Sequence, residues 1–407
     1  MAFAEKQNTG ASPNTDPIRV MVVDDAVVIR GLLTRWLDAD AQLDVVGSHR
    51  NGKIAVDDIE KSNPDVVVLD IEMPEMDGMT ALPLMLAKKR DLVVIMASTL
   101  TRRNAEISMK ALSLGAADYV PKPESNSEIT TSIDFRRELI DKVKALGLRA
   151  RKFKTPQRSM RAATDAGRVS SQAPVSRAAA PAPAEARKPA FAPTSGAVTS
   201  SKAGFSLRPY SSARPRILAI GSSTGGPQAL QLVLKDIGAA LKDVPVVITQ
   251  HMPPTFTAIL AEHIGKASMC PCKEGADGDV LKPGHIYVAP GGRHMVLESA
   301  GTETKIRLID TAPINFCKPA VDPLFESVAK IYGSAVLSLI LTGMGHDGAE
   351  GVKTIARGGG SVIAQDEATS VVWGMPGAAA NTNMCSDVLP LAEIGPKITR
   401  ILKGSAR

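Results

Sequence analysis

Short runs of aliphatic and β-branched residues alternate with segments of helical spacing along most of this chain. The runs DVVVLD at 65–70 and LVVIMAST at 92–99 are too short for helices and too apolar for surface loops. Between such runs, the segment VVIRGLLTRWLD at 27–38 repeats its apolar residues at helical spacing. Strands that alternate with helices predict an α/β fold, in which helices cover both faces of a parallel sheet.

This alternation occurs in two separate parts of the chain, which we take as residues 18–143 and 214–404. The second part contains the apolar runs ILAIGS, VPVVITQ and SAVLSLILTG. Residues 144–213 are rich in Ala, Pro, Ser and Arg and contain few large apolar residues, so a linker is predicted there. Residues 1–17 are polar and predict a disordered tail.

The positive charge of the chain is concentrated in the predicted linker. The net charge is +6, but residues 151–214 hold 12 Lys and Arg against only Asp165 and Glu185, which leaves −4 for the remainder. Aromatic residues make up 3% of the chain, too few for a base-stacking surface. We therefore expect no nucleic-acid partner for the folded domains.

Composition also limits where the chain acts. No apolar run reaches the length of a membrane span, and the N-terminal residues contain no apolar core of a secretory signal. We expect a cytoplasmic protein without direct membrane insertion. The four cysteines show no metal-type spacing and are interpreted as buried or incidental thiols; they are Cys270, Cys272, Cys317 and Cys385.

Acidic, hydroxyl and lysine residues stand at the strand ends of the first predicted domain: Asp24, Asp25, Asp70, Ser98 and Lys122. Parallel strands bring these ends to one edge of the sheet. Three carboxylates repel one another, and a hard divalent ion such as Mg²⁺ offsets that repulsion. A carboxylate in such a site can accept a phosphoryl group, with a lysine and a hydroxyl to bind the added charge. The alternative is an acidic loop cluster without function.

The motifs VVDD, DVVVLDIEMPEMDG, MASTL and DYVPKP, in this order, resemble the receiver domain of two-component response regulators. The resemblance implies a flavodoxin-like, doubly wound sheet of five parallel strands in the order 2-1-3-4-5. It implies that Asp70 is phosphorylated and that Mg²⁺ is bound by Asp24, Asp25, Asp70 and the backbone carbonyl of Glu72. It further implies Ser98 as the switch hydroxyl, Tyr119 as the switch aromatic and Lys122 as the phosphoryl-binding lysine.

A strand, a glycine-rich turn and a helix start are predicted in ILAIGSSTGGPQAL at 217–230. Gly221, Ser223 and Gly225 match G-x-S-x-G, the pattern of a sharp turn that exposes a nucleophilic serine. An ordinary βα turn, or a phosphate cradle at a helix N-terminus, remains an alternative.

Two further strand ends complete a candidate catalytic triad. VPVVITQ is followed by His251, and SAVLSLILTG leads into a turn that contains Asp347. A serine needs a base to take its proton, and the base needs an acid to orient it. The order Ser, His, Asp differs from the Ser, acid, His order of α/β-hydrolases.

The same turn offers a competing interpretation. Gly343, Gly345 and Gly348 form G-x-G-x-x-G between an apolar strand and a predicted helix, with Asp366 and Glu367 one βα unit later. That spacing is typical of dinucleotide binding. Against it, Asp347 inside the turn would face an anionic pyrophosphate. The strand is also not the first of its domain, so spacing alone favours the hydrolase over the dinucleotide site.

The motifs IGSSTGG, ITQHMPP, PGHIYVAPGGRHM, LTGMGHDGA and AQDEATSVVWGMPGAA resemble the catalytic domain of the chemotaxis protein-glutamate methylesterases (CheB). The resemblance covers residues 216–400 and implies a Rossmann-like α/β domain with a mostly parallel sheet. It implies Ser223 as nucleophile, His251 as general base and Asp347 as orienting acid. It also implies that the backbone N–H of Met344 helps to form the oxyanion hole, with Thr224 lining the site.

This resemblance implies a phosphorylation-activated enzyme that needs no cofactor for the esterase. It would hydrolyse glutamate methyl esters on chemoreceptors to glutamate and methanol, and deamidate receptor glutamines. Its phosphodonor would be the chemotaxis histidine kinase, and its unphosphorylated receiver would cover the esterase cleft. The alternative is a response regulator whose C-terminal domain binds a nucleotide or a partner without hydrolysis.

Overall fold

A computed structural model describes residues 16–122, 133–154 and 204–404 of the 407-residue chain. Residues 1–15, which make up most of the predicted tail, and residues 155–203, which make up most of the predicted linker, lie outside the described residues. The described chain forms two α/β domains, each built around its own parallel sheet.

The N-terminal domain contains a sheet of five parallel strands in the order β2-β1-β3-β4-β5. This order confirms the 2-1-3-4-5 arrangement that the resemblance implied. The central strand β3 is buried on both faces, as its unbroken β-branched sequence requires. The strands are β1 Ile18–Val23, β2 Leu43–His49, β3 Val66–Asp70, β4 Val93–Thr99 and β5 Asp118–Lys122.

Helices pack on both faces of this sheet. In the first helix, Ile29, Leu32, Leu33, Trp36 and Leu37 are buried, which is the amphipathic spacing expected from the sequence. Side-chain oxygens of Asn51, Asp77 and Thr101 accept the first free N–H groups of the next three helices. The helices are α1 Val27–Asp38, α2 Gly52–Ser62, α3 Gly78–Lys88, α4 Arg102–Ser113 and α5 Ile133–Lys154.

Helix α5 continues past the predicted domain boundary at residue 143. Leu146 is buried in the N-terminal core, and Arg151 forms an ion pair with Asp65 at 2.6 Å. Arg151 also donates hydrogen bonds to the carbonyls of Asp16 and Pro17, although both belong to the predicted tail. The composition of this stretch suggested a linker, but its few apolar and basic residues are spaced to contact the domain.

The C-terminal domain contains seven parallel strands in the order β14-β13-β12-β6-β7-β9-β8. Every neighbouring pair in this sheet is parallel, which confirms the expected architecture. The strands are β6 Ile217–Ser222, β7 Val246–Gln250, β8 Cys272–Glu274, β9 Ile286–Val288, β12 Val336–Ile340, β13 Ser361–Gln365 and β14 Asp387–Leu389.

An antiparallel hairpin, β10 His294–Ala300 and β11 Glu303–Ile309, stands apart from this sheet and was not predicted. Six helices and the short 3₁₀ turns at Gly238–Ala240 and Gly333–Ala335 complete the domain. The helices are α6 Gly226–Ile237, α7 Phe256–Ser268, α8 Val321–Tyr332, α9 Ala349–Arg357, α10 Gly374–Asn381 and α11 Leu391–Leu402.

Residues 204–213, assigned by composition to the linker, run along the C-terminal domain. The Ser206 N–H donates to Asn383 Oδ1 at 2.7 Å, and the Tyr210 hydroxyl donates to Asp387 at 3.1 Å. The N–H of Ser211 donates to Ser361 Oγ at 2.8 Å. The C-terminal domain therefore begins about ten residues earlier than the predicted boundary at 214.

The direction in which successive strands are added to the sheet reverses next to β6. From β6 it proceeds outward through β7 on one side, and from β12 through β13 on the other. A crevice opens at the carboxyl ends of β6 and β12, where the helices that follow depart to opposite sides. The three predicted triad residues follow β6, β7 and β12, so the fold brings them to this crevice.

The two domains are in contact through α4 and β5 of the first and α6 and α7 of the second. The rings of Tyr119 and Phe256 stack with centroids 4.6 Å apart and planes 8° from parallel. Gln228 donates to the carbonyl of Ala116 at 3.2 Å. The predicted switch aromatic of the first domain therefore lies directly on the second.

None of the helices within the described ranges is both long enough and apolar enough to cross a lipid bilayer.

We expect Phe256→Ala to destabilise the C-terminal domain by about 3–5 kcal/mol, because it removes a fully buried ring and its aromatic partner contact. Calorimetric unfolding of the full chain measures the effect. Met269→Ala is the control, since that side chain is 88% exposed, and it should change stability by no more than about 0.5 kcal/mol. Equal losses in the two variants would contradict the assignment.

Candidate active site

A sharp turn between β6 and α6 presents Ser223. Gly225 has a φ of +74°, which glycine adopts without strain. A Cβ at Gly226 would lie 2.0 Å from Gln250 Oε1, and a Cβ at Gly343 would lie 2.8 Å from the Cβ of Ser223. The backbone around the serine is therefore packed too closely for any side chain at Gly226 or Gly343.

Gln250, the last residue of β7, joins the ends of two strands. Its Oε1 accepts a hydrogen bond from Ser222 Oγ at 2.7 Å. Its Nε2 donates to the carbonyls of Ser223 at 2.9 Å and His251 at 3.3 Å. The sequence analysis missed this positioning role; the only available signal was a buried amide directly before the candidate histidine.

The structure brings His251 and Asp347 into direct contact. His251 Nε2 lies 2.7 Å from Asp347 Oδ2, and the Asp347 side chain is 2% exposed. The same carboxylate accepts backbone N–H groups from Val321 at 2.6 Å, Gly348 at 3.0 Å and Asp322 at 3.3 Å. Burial raises the pKa of Asp347, but these donors and His251 outweigh it and hold the pKa below its usual value. Asp347 is therefore ionised and can orient the imidazole.

The other ring nitrogen of His251 contacts a cysteine. Nδ1 lies 3.3 Å from Cys317 Sγ. Burial lowers the pKa of His251, while Cys317 and Asp347 raise it, and the net result is a pKa of about 10. Cys317 was interpreted as an incidental thiol, which is corrected here: the fold places it against the candidate base.

Ser223 lines the same cavity as His251 and Asp347. Among the described residues, no hydrogen bond joins Ser223 Oγ to His251, because Nδ1 faces Cys317 and Nε2 faces Asp347. All three predicted triad residues therefore share one site, but only the base and the acid are paired.

Two backbone N–H groups beside Ser223 are available for an oxyanion. Those of Thr224 and Met344 have no backbone acceptor in the parts of the chain that the structure describes. The hydroxyl of Thr224 is also buried and has no partner there. Both residues line the cavity. The resemblance implied an oxyanion-binding N–H at Met344 and a lining position for Thr224.

The cavity has a volume of about 750 Å³ and is walled by both domains. The C-terminal domain contributes the catalytic candidates and the exposed His346, while the N-terminal domain contributes β5 and α5 residues such as Tyr119, Arg137 and Glu138. The N-terminal domain thus closes one side of the site.

The second predicted site lies at the carboxyl edge of the N-terminal sheet. The carboxylates of Asp24, Asp25 and Asp70 approach within 4.8 Å of one another. Lys122 Nζ lies 2.7 Å from Asp24 and 2.8 Å from Asp70. Burial, with a smaller contribution from Asp24, raises the pKa of Asp70 to about 6 despite the nearby Lys122. Concentrated negative charge and a partly buried carboxylate fit a divalent cation, the chemistry expected for this cluster.

The remaining predicted residues of the first domain lie around this edge. Ser98 is buried and its Oγ donates to the carbonyl of Thr99 at 3.2 Å. Glu72 follows β3, with its side chain exposed. Tyr119 is buried, and its carbonyl accepts from Lys142 Nζ at 2.7 Å. Lys142, which the sequence analysis did not select, also pairs with Asp118 at 3.1 Å.

Comparison with known proteins gives family matches over both domains. A family model described as CheB methylesterase matches residues 218–398, and one described as response regulator receiver domain matches residues 20–134. A protein-glutamate methylesterase/protein-glutamine glutaminase of group 2 operon from Bradyrhizobium diazoefficiens is 55% identical over 99% of each chain.

The chain belongs to the CheB methylesterase family.

A second relative agrees with this membership. The protein-glutamate methylesterase/protein-glutamine glutaminase of Rhodopseudomonas palustris strain BisB5 is 54% identical over 97% of this chain and 96% of its own. The crystal structure of the Thermotoga maritima CheB methylesterase catalytic domain is 38% identical and covers 46% of this chain and 100% of its own, with a TM-score of 0.45. The family and the enzyme class expected from the sequence, a carboxylic ester hydrolase with a receiver, are confirmed.

Membership also assigns the first domain as a receiver, with the usual divalent cation site of such domains at its phosphorylation site. The carboxylates of Asp24, Asp25 and Asp70 form a group that could hold such an ion. The competing dinucleotide hypothesis is not favoured. Asp347 occupies the glycine turn as the partner of His251, and Asp366 accepts the N–H of Thr369 at 3.0 Å. Glu367 is paired with Lys152.

We expect Gly226→Ala to lower kcat for methyl-ester hydrolysis roughly 100-fold, because its Cβ would displace Gln250 and with it the serine turn. Methanol release from methylated receptor measures the loss. Gly204→Ala is the control, since nothing lies within 4 Å of a Cβ there. Unchanged kcat in a folded Gly226→Ala chain would show that Gln250 does not position the turn.

Proposed function

We propose that this chain is a phosphorylation-activated chemotaxis methylesterase that hydrolyses glutamate methyl esters on chemoreceptors by a Ser-His-Asp mechanism. The observation that supports it most is the contact of 2.7 Å between His251 and Asp347, in the same cavity as the Ser223 turn. The same residues would deamidate receptor glutamines, since both reactions begin with attack on a γ-glutamyl carbonyl.

Ser223 Oγ attacks the ester carbonyl, and the neutral form of His251 accepts its proton; the fraction of this form rises as the pH rises toward the His251 pKa of about 10. Because Asp347 holds Nε2, the proton goes to Nδ1. The backbone N–H groups of Thr224 and Met344 then stabilise the oxyanion, with about 3 kcal/mol expected from each. His251 returns the proton to departing methanol, or to ammonia from an amide, and water activated in the same way releases glutamate.

The receiver would accept a phosphoryl group from the chemotaxis histidine kinase on Asp70. Mg²⁺ fits as the cation, with Asp24, Asp25, Asp70 and the Glu72 carbonyl as ligands; when bound, it supplies positive charge for the phosphoryl oxygens. Lys122, now paired with Asp24 and Asp70, is within reach of the new charge, and Ser98 can donate its hydroxyl to a phosphoryl oxygen.

The proposed activation acts through the domain contact. The receiver closes one side of the esterase cavity, so a large receptor helix cannot approach Ser223 from that side. Tyr119 links the two sites: it lies on β5, three residues before Lys122, and its ring lines the esterase cavity and stacks on Phe256 of α7. Movement of Tyr119 on phosphorylation would weaken that stack and open the cavity. We place the whole process in the cytoplasm, on the cytoplasmic helices of the receptors.

Ser223→Ala should lower methanol release about 10⁴-fold or more, because no other hydroxyl takes its position on the turn. Release of methanol from methylated receptor measures it, with Ser299→Ala on the exposed hairpin strand β10 as the matched control. Substantial activity in Ser223→Ala would remove the serine mechanism and leave His251 to activate water directly.

Acetyl phosphate should stimulate the full-length chain by a factor of about 5–150, and Asp70→Asn should abolish only this stimulation. The amide cannot accept a phosphoryl group, whereas basal hydrolysis depends on the other domain. Asp57→Asn, an exposed carboxylate on α2, is the control that should remain stimulated. Equal stimulation of Asp70→Asn would contradict Asp70 as the phosphorylated residue.

A further inference from the structure

The Cys317 thiol contacts Nδ1 of His251, the ring nitrogen that accepts the serine proton in the proposed mechanism. Sγ lies 3.3 Å from Nδ1, and Nε2 is held by Asp347 at 2.7 Å. A ring nitrogen has either one proton to donate or one lone pair to accept with. Nδ1 therefore cannot form a hydrogen bond with Cys317 and accept the proton of Ser223 at the same time.

A strained turn fixes Cys317 in this position. Ile314 and Cys317 exchange two backbone hydrogen bonds, at 3.1 and 2.8 Å. Between them, Asn315 and Phe316 have φ angles of 51° and 64°. Two successive positive φ angles are typical of a type I′ turn, which Asn tolerates but which is unfavourable for phenylalanine. A less strained turn would not require these angles, so the surroundings must hold this one in place.

The receiver supplies one of the contacts that hold it. Phe316 is exposed to 79%, yet its ring centroid lies 4.0 Å from the guanidinium carbon of Arg137 on α5. Such a cation–π contact is attractive even for an exposed pair. Phe316 of this turn thus contacts the receiver, and the next residue, Cys317, contacts His251.

We propose that Cys317 is a positioning residue of the esterase, whose thiol holds His251 away from Ser223 in the resting chain. The proposal rests on the proposed function, since it assigns His251 as the base for Ser223. Catalysis then requires Sγ to leave Nδ1 so that this nitrogen can accept the serine proton. Cys317 acts through His251 and takes no part in the bonds that form or break.

The charges around His251 determine whether loss of the Cys317 thiol raises or lowers the pKa of the imidazole. Cys317 and Asp347 contact the ring, and Asp322 lies behind Asp347, whose carboxylate accepts its N–H. The other titratable groups that line the cavity with it are Asp118, Tyr119, Asp134, Arg137, Glu138, Asp141, Lys142, Lys144, Lys318 and His346.

Removal of the thiol leaves all of these groups in place. Because Cys317 raises the pKa of His251, a chain without this thiol has a base of lower pKa. The base is then unprotonated at a lower pH, and the acid limb of the activity profile moves to lower pH.

The test compares kcat/KM for methyl-ester hydrolysis against pH in wild type and Cys317→Ser, both as full-length chains. Serine is close in size but has no ionisable thiol. We expect the acid limb of Cys317→Ser to move down by about one pH unit or more, with higher activity below the wild-type limb. Cys270→Ser, a half-buried thiol next to Gly238, is the control and should keep the wild-type profile.

A second measurement does not depend on activity. Titration of ¹⁵N-labelled histidine by NMR follows the His251 ring, which a His251→Asn chain identifies among the six histidines. The midpoint of His251 should be lower in Cys317→Ser than in wild type. Unchanged midpoints and unchanged acid limbs in Cys317→Ser would overturn the proposal.

The two hypotheses fail in different ways. If wild type and Ser223→Ala release methanol equally, the proposed function is wrong, while the NMR titration still decides whether Cys317 controls the protonation of His251. If only wild type is active but Cys317→Ser titrates like wild type, the proposed function stands and the role of Cys317 does not.

Discussion

The buried carboxylate of Asp347 is the charge around which the catalytic domain is arranged. A carboxylate that is 2% exposed is costly unless hydrogen bonds and an opposite charge compensate for it. Here three backbone N–H groups, from the turn after β12 and from the start of α8, converge on it together with His251. The same contacts that make this burial possible also fix the orientation of the imidazole. The same hydrogen bonds therefore stabilise the crevice and position His251.

The two domains place their buried acidic side chains in similar positions. Each gathers its polar residues at the carboxyl edge of a parallel sheet, and each neutralises a buried acid with a base from another strand. In the receiver the pair is Asp70 with Lys122, and in the catalytic domain it is Asp347 with His251. Between them lie the Tyr119–Phe256 stack and the Arg137–Phe316 contact, which link receiver elements to the α7 and Cys317 sides of the esterase cavity. A shift of β5 or α5 would therefore reach both walls of the cavity.

Much of this arrangement could be predicted because the ends of strands can be recognised in a sequence. Apolar β-branched runs show where strands end, and parallel pairing then places Asp24, Asp70 and Lys122 at one edge. The turn around Ser223 was equally predictable from its glycines. Gln250 and Cys317 were not, because their roles depend on neighbours from distant parts of the chain, 27 and 66 residues away. The continuation of α5 to Lys154 was missed because its polar surface resembles a linker in composition.

The residues alone determined the fold class, the family and the identity of the candidate nucleophile, base and acid, and the resemblance to the receiver family implied the sheet order of the first domain. These follow from local patterns, since periodicity and short motifs act over a few residues. Only the tertiary structure decided which atoms meet: Asp347 on Nε2, Cys317 on Nδ1, and the receiver across the cavity from Ser223. The physical reason is that hydrogen bonds and aromatic contacts form over a few ångströms between segments that the sequence separates by tens or hundreds of residues.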